Sequence, residues 1–481
     1  LIQNSSTERP LHFKKHPIAQ LITLTLSLAG YGMINKRAYA APTQPLGCDI
    51  TGATEVTTDV TNDVLCTIST TGTLTINSGI LTNNDTLNNE GFLNHNAYFD
   101  RLINNGTLNN TGTFNNNSNY GGVTNYGTLN NDGTLNNTAA LNNRGTLINN
   151  DIMTSTSVIS QVFNANTANL TNTGDLSSRS LVNEGTLSNT GTLTNVGSLI
   201  NRDALSNTGT LTNNLGSTLD NNSGATLTND GTLNNTGTLN NNAGGILNNN
   251  SGATLTNDGT VNNDGSLNNF GVLENNGRLA SGGSLTNDGT LTNNNLLDFS
   301  NGNLQNNGTL NNNGTMFGYA GSMTNTGTLD ITATGSVNIN TGYSGTGGFT
   351  QTNGSTIVNG SLVVSGSAGG PPPPPPPPGA PPLPPGPTAT IDIQGGSLSG
   401  SGSIEASQIT IGQNATVNPG NSPGTLLLIG AVDLLGTLET EIESSSLYDG
   451  LLYTSDSADA EDRLDLCGRH ATKTTTTGNP I

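Results

Sequence analysis

Two residues have a type and setting that could support nucleophilic catalysis: one histidine, and one serine in a Gly-x-Ser-x-Gly string. His95 is the only histidine between residues 41 and 449. Ser422 lies in Gly420-Asn421-Ser422-Pro423-Gly424, which spells the Gly-x-Ser-x-Gly string of a nucleophile elbow. That elbow needs a strand before it and a helix after it, whereas this stretch is β-rich and proline follows the serine. We therefore interpret the string as a turn and expect no serine–histidine–carboxylate arrangement.

Acidic residues offer a second kind of chemistry, because paired carboxylates can cleave glycosides. Separate turns of a β-helix could bring two acids together, so this alternative stays open. The acids are, however, scattered among asparagines at variable positions, which is typical of tolerated surface substitution. No phosphate-binding loop, Cys/His metal spacing or calcium-binding nonapeptide pattern occurs. We predict a non-enzymatic protein without catalytic, cofactor-binding or metal sites.

Two cysteines, Cys48 and Cys66, are eighteen residues apart. In an exported chain such cysteines tend to pair. They would lie within bonding reach if one turn of the fold holds about eighteen residues. We therefore predict a Cys48–Cys66 disulfide that pins the first turn. Two unbridged buried thiols are the alternative.

A repeat with the unit Leu-x-Asn-x-Gly-Thr must position these side chains. From about Leu170 to Met316 an aliphatic residue returns in steps of six, with occasional steps of eight that add two corner residues. A period of six fits neither an α-helix nor a coiled coil, but it fits strands, in which alternate side chains share a face. The core ladder predicted from the most regular part is Leu255, Val261, Leu267, Leu273, Leu279, Leu285, Leu291 and Leu297.

The repeat predicts an all-β fold, a parallel β-helix or solenoid. With leucine directed inward, the asparagine two positions later also points inward, and the threonine before the leucine points outward. Glycine, and after it asparagine, tolerates a corner between two strands. About three units close one turn, and the turns stack at roughly 4.8 Å. Leucines then stack inside, and asparagines stack near the corners.

Disorder is the alternative to this fold. Hydrophobic residues make up 31% of the sequence, against roughly 45–50% in ordinary domains, and Asn- and Gly-rich tracts are often unfolded. The regular leucine spacing argues against disorder, because an unfolded chain has no need to preserve it. A solenoid also needs few apolar residues, since each face contributes one stack.

The sequence divides into six segments. Residues 1–40 combine a basic start, the apolar run 18–33 and the small residues Ala38-Tyr39-Ala40, so we predict a secretory signal cleaved after Ala40. A membrane anchor is the alternative, but the run is shorter than the roughly 20 residues that span a bilayer. The remaining segments are an N-terminal cap with the cysteine pair at 41–70, solenoid repeats at 71–367, a Pro-rich linker at 368–388, further strands at 389–449 and an anomalous tail at 450–481.

Eight consecutive prolines, 371–378, dominate the linker. Consecutive prolines cannot join a sheet and favour polyproline II. About seventeen residues in that form would make a spacer of roughly 50 Å. Recognition by a proline-binding domain is the alternative.

The charge of the chain limits the classes of partner that it is expected to bind. The formal net charge is −20, and residues 41–449 contain five arginines, no lysine and 27 acidic residues. An acidic surface without basic patches argues against binding to nucleic acid or to anionic lipid. It keeps an exposed, Asn-rich surface soluble.

Three strings near the C-terminal end carry a family resemblance. They are Pro419-Gly420-Asn421-Ser422-Pro423-Gly424-Thr425-Leu426, Gly436-Thr437-Leu438-Glu439-Thr440-Glu441-Ile442 and Tyr448-Asp449. Together they resemble the late passenger region of bacterial type V autotransporters, over about Gly395 to Asp449. The resemblance implies export, passage through an outer-membrane translocator barrel and display at the cell surface as a right-handed β-helix. Hexapeptide turns alone would suggest a left-handed triangular form.

The tail departs from that family, in which a C-terminal translocator barrel is expected. Residues 450–481 share neither period nor composition with the repeats and resemble translated sequencing-adapter read-through. We hypothesise that the native frame ends near Asp449 and that the barrel is missing from this sequence, so Cys467 carries no functional weight. Sequencing the locus tests this: a barrel-encoding continuation supports it, and an intact native tail refutes it.

Three functions fit such a rod. The first, which we favour, is an adhesin or adhesive stalk on the bacterial surface, with glycans or matrix proteins of a host or neighbouring cell as partners. The second is a purely structural spacer. The third is an ice-binding β-helix that uses threonines on both sides of leucine, as in Thr192-Leu193-Thr194. Tyr98, Phe99, Tyr120 and Tyr126 form one local aromatic group, which we interpret as packed or corner residues rather than as a binding patch. We expect no cofactor.

Overall fold

The computed structural model shows parallel strands stacked as a β-solenoid of about 18 turns. It describes residues 44–340, 348–366, 389–420, 424–440, 442–444, 447–448, 450–454 and 464–465. Within these ranges the chain forms strands and turns and no helix. At about 4.8 Å per turn the stack rises roughly 85 Å. The predicted signal segment, the proline run and Ser422 lie outside the described residues.

Three strands form each turn, because a typical strand pairs in parallel with the strands three places before and after it along the chain. We name the three faces A, B and C in the order in which the chain visits them. The strands of face A are Gln44–Pro45, Val60–Asn62, Leu81–Asn83, Arg101–Asn104, Gly122–Asn125, Ala140–Asn143, Gln161–Asn164, Thr218–Asn221, Thr238–Asn241, Thr260–Asn263, Arg278–Ser281, Leu296–Asp298, Thr315–Tyr319, Ser336–Asn340 and Ser361–Ser365. Those of face B are Cys66–Ile68, Thr86–Asn89, Thr107–Asn110, Thr128–Asn131, Thr146–Asn149, Asn169–Asn172, Thr186–Asn189, Ala204–Asn207, Thr226–Asn229, Ile246–Asn249, Ser266–Asn269, Ser284–Asn287, Asn303–Asn306, Ser322–Asn325 and Gly348–Gln351. Those of face C are Ala53–Val56, Thr73–Ile76, Phe92–His95, Thr113–Asn116, Thr134–Asn137, Ile152–Ser155, Thr210–Asn213, Thr232–Asn235, Thr254–Asn257, Val272–Asn275, Thr290–Asn293, Thr309–Asn312, Thr328–Ile331 and Ser355–Val358.

The remaining strands either run across a corner or lie at the C-terminal end. The strands that continue from one face to the next are Asp175–Asn183, Thr192–Asn201, Thr390–Gly400, Ser403–Pro419 and Thr425–Leu434. The short late strands are Thr437–Leu438, Ile442–Ser444, Leu447–Tyr448, Gly450–Thr454 and Leu464–Asp465.

Stacked aliphatic residues fill the interior. The eight residues of the predicted ladder are each at most 1% exposed. Because six residues carry the chain from one face to the next, these eight belong to three separate stacks. Leu255 lies in register with Leu273, and Leu273 with Leu291, on face C. Each such side chain contributes about 1.5–3 kcal/mol when fully buried.

At the two-residue corners glycine is required, because the backbone of the previous turn lies too close to leave room for a Cβ atom. A Cβ on Gly259 would lie 2.2 Å from the carbonyl oxygen of Gly237 in the previous turn. Gly259 is not among the residues with positive φ, so our explanation of these glycines by conformational tolerance is incomplete. Tolerance matters instead at the four-residue corners, such as 222–225, where Gly224 has a φ of +81°. There the Ala225 amide donates to the Asn222 carbonyl at 2.9 Å.

The strand regions before and after the Pro-rich segment stack on each other. Phe349 is in register with Ile391, and Gln351 with Ile393, while Ser361 is in register with Ser403. The two strand regions are therefore not held about 50 Å apart. The segment itself lies outside the described residues, and its extended form stays a prediction. The last strand before the segment, Ser361–Ser365, lies on face A, and the first strand after it, Thr390–Gly400, begins on face B.

The solenoid register continues past the boundary that we placed at residue 449. The strand Gly450–Thr454 pairs in parallel with Thr425–Ile429 of the turn beneath it, and Leu451 is buried. Residues 450–454 thus belong structurally to the solenoid. The pair Leu452–Asp465 is antiparallel, unlike the pairs between turns.

Candidate functional site

Of the two catalytic candidates, only His95 lies in the described part of the chain. His95 ends the strand Phe92–His95 with its ring fully buried, and its Nδ1 lies 2.9 Å from Oδ1 of Asn116. Burial lowers the pKa of His95, and the Asn116 hydrogen bond opposes this shift. In the described ranges no group of three His, Cys, Asp or Glu side chains could hold a metal ion.

The acidic residues at the corners interact with amides of neighbouring turns. The Oδ1 atoms of Asp132, Asp230, Asp258 and Asp288 each accept a hydrogen bond from an asparagine Nδ2, at 2.6–2.9 Å. Each of these carboxylates therefore replaces one acceptor in a surface row of asparagines.

The two cysteines lie at matching positions of adjacent turns. A parallel bridge joins Ile50 to Ile68, and each cysteine precedes its isoleucine by two residues. Cys48 is exposed and Cys66 is buried, and the structure contains both as thiols. Burial, together with the hydrogen bond to Cys48, raises the pKa of the Cys66 thiol to about 12. The disulfide stays a prediction.

Buried asparagines form hydrogen-bonded ladders along the inside of the corners. In each ladder the Nδ2 atom of one asparagine donates to Oδ1 of the asparagine one turn later. On face B the distances are 2.5–2.8 Å over thirteen consecutive asparagines. These are Asn89, Asn110, Asn131, Asn149, Asn172, Asn189, Asn207, Asn229, Asn249, Asn269, Asn287, Asn306 and Asn325.

Faces A and C carry ladders of the same kind. The face A ladder runs from Asn62 to Asn263 and ends on Oγ of Ser281. The main face C ladder runs from Asn195 to Asn312. Asn62 and Asn89 begin their ladders, which explains why Oδ1 of each is buried without a hydrogen-bond partner. The ladders thus satisfy polar groups that would otherwise be costly to bury.

An exposed aromatic cluster lies at the corner where the chain passes from face C to face A, which we call the C–A corner. Tyr98 and Phe99 lie in the loop 96–100, and Tyr120 lies one turn later in the loop 117–121. The rings of Phe99 and Tyr120 are nearly parallel (22°), with centroids 5.4 Å apart. Tyr98 packs with its edge to both, at 4.6 and 5.1 Å. The exposed fractions of Tyr98, Phe99 and Tyr120 are 50%, 69% and 61%.

Backbone and side-chain hydrogen bonds fix the two loops. The Tyr120 amide donates to the Tyr98 carbonyl at 2.9 Å. The Gly121 amide donates to Oγ of buried Ser118 at 2.8 Å. Oδ2 of Asp100 accepts from the amide of Gly79 in the turn before, also at 2.8 Å. The loops that carry the rings are therefore held by the same kind of turn-to-turn bonding that holds the solenoid.

The three clustered rings are corner residues that pack on one another, as we interpreted them, and they also remain at least half exposed. Tyr126, the fourth member of the predicted group, is also exposed, but it lies at the corner between faces A and B. The C–A corner carries further exposed apolar residues two turns after Tyr120, namely Val158 and Ile159.

Outward threonines form a hydroxyl array on face C. Thr192 and Thr194 lie in register with Thr210 and Thr212. The array is interrupted where Asn234 follows Thr212 and where Val272 and Glu274 occupy the same two rows. The regular surface required by the ice-binding alternative is thus limited to short blocks.

No known protein family, curated protein or solved structure matches this chain. Among the described residues, no helix has the length and apolar character needed to cross a membrane.

Proposed function

We propose that this chain is the exported, surface-displayed passenger of a bacterial autotransporter and acts without enzymatic activity as an adhesin or adhesive stalk. The observation that carries the proposal is the stack of about 18 turns. Leucine and asparagine fill its interior and leave function to outward-facing rows and corner loops. A rod of this kind holds such loops away from a cell.

The repeat architecture also suits a chain that crosses a membrane unfolded and folds afterwards. Each turn contacts only its neighbours, so folding can begin at one point and continue turn by turn. Register partners are separated by only 17–22 residues between Asn172 and Asn325. No distant segment has to arrive before a turn can form there.

The polar exterior supports contact with hydroxyl-rich partners. Rows of outward asparagine, threonine and serine present both donors and acceptors along the stack. The acidic excess disfavours anionic partners. Neutral glycans or matrix proteins remain the partners that this surface suits best.

Export is tested by expressing the full chain in a Gram-negative host and sequencing the N-terminus of the fractionated protein. We expect a mature form in the periplasm or medium that begins at Ala41. An uncleaved leader on a cytoplasmic protein would overturn the proposal. Adhesion is tested by coating beads with the purified chain and measuring attachment to immobilised glycans, matrix proteins and cells. Attachment to none of these would favour the spacer.

A further inference from the structure

We propose that the three aromatic rings at the C–A corner form a binding site for an uncharged saccharide. The inference rests on the proposed function, to which it adds the site of adhesion and the class of ligand. The site consists of Tyr98, Phe99 and Tyr120, together with the exposed amides of the same two loops.

The exposure of these rings is the first argument. Aromatic side chains usually bury most of their surface, because each can remove about 150–250 Å² from water. Here three rings contact one another yet remain at least half exposed. The hydrogen bond from the Tyr120 amide to the Tyr98 carbonyl fixes the backbone of the two loops, and the ring-to-ring contacts order the side chains. Less conformational entropy is therefore lost when a ligand binds.

The exposed amide side chains beside the rings are the second argument. Asn96, Asn117 and Asn119 are exposed in the same loops, and Nδ2 of Asn117 lies 3.2 Å from Oδ1 of Asn96. Primary amides both donate and accept hydrogen bonds. A sugar ring presents a C–H face that can pack on an aromatic ring and hydroxyls that can pair with amides at its edge. Aromatic faces beside amides match both features.

The exposed area of the aromatic cluster fits a saccharide better than a protein partner. Three rings that are half to two-thirds exposed offer roughly 300–400 Å². A stable protein interface buries about 800 Å² on each side. The exposed Val158 and Ile159 do not extend the aromatic surface, because a turn with Thr138 and Ala139 lies between. A few sugar residues match this area better than a folded protein does.

The negative charge of the protein favours uncharged saccharides over acidic ones. The chain has a formal net charge of −20, and Asp100 lies in the same loop as two of the rings. Sulfated or sialylated glycans would approach an acidic surface, so we expect an uncharged ligand.

The test is calorimetric titration of the full, folded chain with neutral hexasaccharides (cellohexaose, mannohexaose and chitohexaose) and with a heparin hexasaccharide. We expect at least one neutral probe to bind and heparin not to bind. Tyr120→Ala should lower the affinity about tenfold or more, because it removes one ring and its packing with the other two. Tyr126→Ala is the matched control, since it removes an exposed tyrosine from a different corner and should change the affinity less than about twofold.

Several outcomes would overturn the site: no neutral probe binds the folded chain, heparin binds more tightly, or the two tyrosine variants lose affinity equally. Self-association that Tyr120→Ala abolishes, measured by sedimentation, would also overturn it by assigning the cluster to a second copy. If beads coated with Tyr120→Ala still adhere as wild type does, the proposed function survives and the saccharide site fails. If the chain binds a hexasaccharide but is never exported, the site survives and the proposed function fails.

Discussion

Replacing one buried ladder asparagine should destabilise the solenoid far more than replacing the asparagine beside it. Asn235 and Asn234 are consecutive residues of the strand Thr232–Asn235. Asn235 points inward and is 1% exposed, whereas Asn234 is only partly buried. Alanine at each position removes the same atoms, so the comparison isolates the ladder.

The magnitude follows from the hydrogen bonds of Asn235. Its Nδ2 donates to Oδ1 of Asn257 at 2.8 Å and to the carbonyl of Thr260 at 2.9 Å, and its Oδ1 accepts from Asn213 at 2.7 Å. Nδ2 of Asn213 keeps a bond to the Thr238 carbonyl, but Oδ1 of Asn257 would lose its ladder donor. One buried polar atom without a partner costs about 1–3 kcal/mol. With the small cavity, Asn235→Ala should lose about 2–4 kcal/mol.

Chemical denaturation followed by circular dichroism measures the global effect, and amide hydrogen exchange of residues 232–263 measures the local one. Asn234→Ala should stay within about 0.5 kcal/mol of wild type, as surface substitutions usually do. Equal losses for the two variants would refute the reasoning, because the ladder would then contribute no more than an outward amide.

Three further predictions concern His95, the cysteines and the Pro-rich segment. Burial lowers the pKa of His95 from its ordinary value of 6.5, so the unfolded chain binds the proton more readily. The contribution of neutral His95 to the free energy of unfolding should be fully present above pH 6.5 and be lost as the pH falls through the lowered folded pKa. His95→Asn should remove this part of the pH dependence of stability. Identical pH profiles for the variant and the wild type would contradict the prediction. The exported, unfolded chain should show no reactive thiol at Cys48 or Cys66, and a disulfide that closes this loop should add about 3 kcal/mol; two titratable thiols would rule it out. Replacing residues 367–388 by a four-residue corner should leave the unfolding midpoint nearly unchanged, because the strand before the segment and the strand after it each pair with a strand of an adjacent turn. Loss of structure beyond residue 389 would count against the continuous stack.

The leucine spacing was sufficient to predict the three faces, because one inward apolar residue per strand both sets the period and fills the core. It also predicted that Asn257 points inward, since Asn257 lies two positions after Leu255 on a strand. It did not predict that Gly259 is needed for close approach to Gly237, because backbone distances between turns depend on the packed structure.

Other features could not be predicted, because local composition does not determine where the ends of a segment lie. Consecutive prolines favour an extended chain, yet the register of Phe349 with Ile391 brings the strands on either side into adjacent turns. The sequence indicated one local aromatic group, but not the packing and exposure of Tyr98, Phe99 and Tyr120, because we assumed turns of about eighteen residues. The turns that contain Tyr98 and Tyr120 hold 21 residues, which places the loops 96–100 and 117–121 on the same corner of adjacent turns.

Disulfide trapping between turns tests the solenoid most directly. Asn234 and Thr256 are in register on face C, so a chain with Asn234→Cys and Thr256→Cys should cross-link, since adjacent strands lie about 4.8 Å apart. The control pair, Asn234→Cys and Asn240→Cys, is closer in sequence but spans two faces and should not cross-link. A flexible chain closes the shorter loop more readily, so peptide mapping that finds the control pair bridged and the register pair free would contradict the fold.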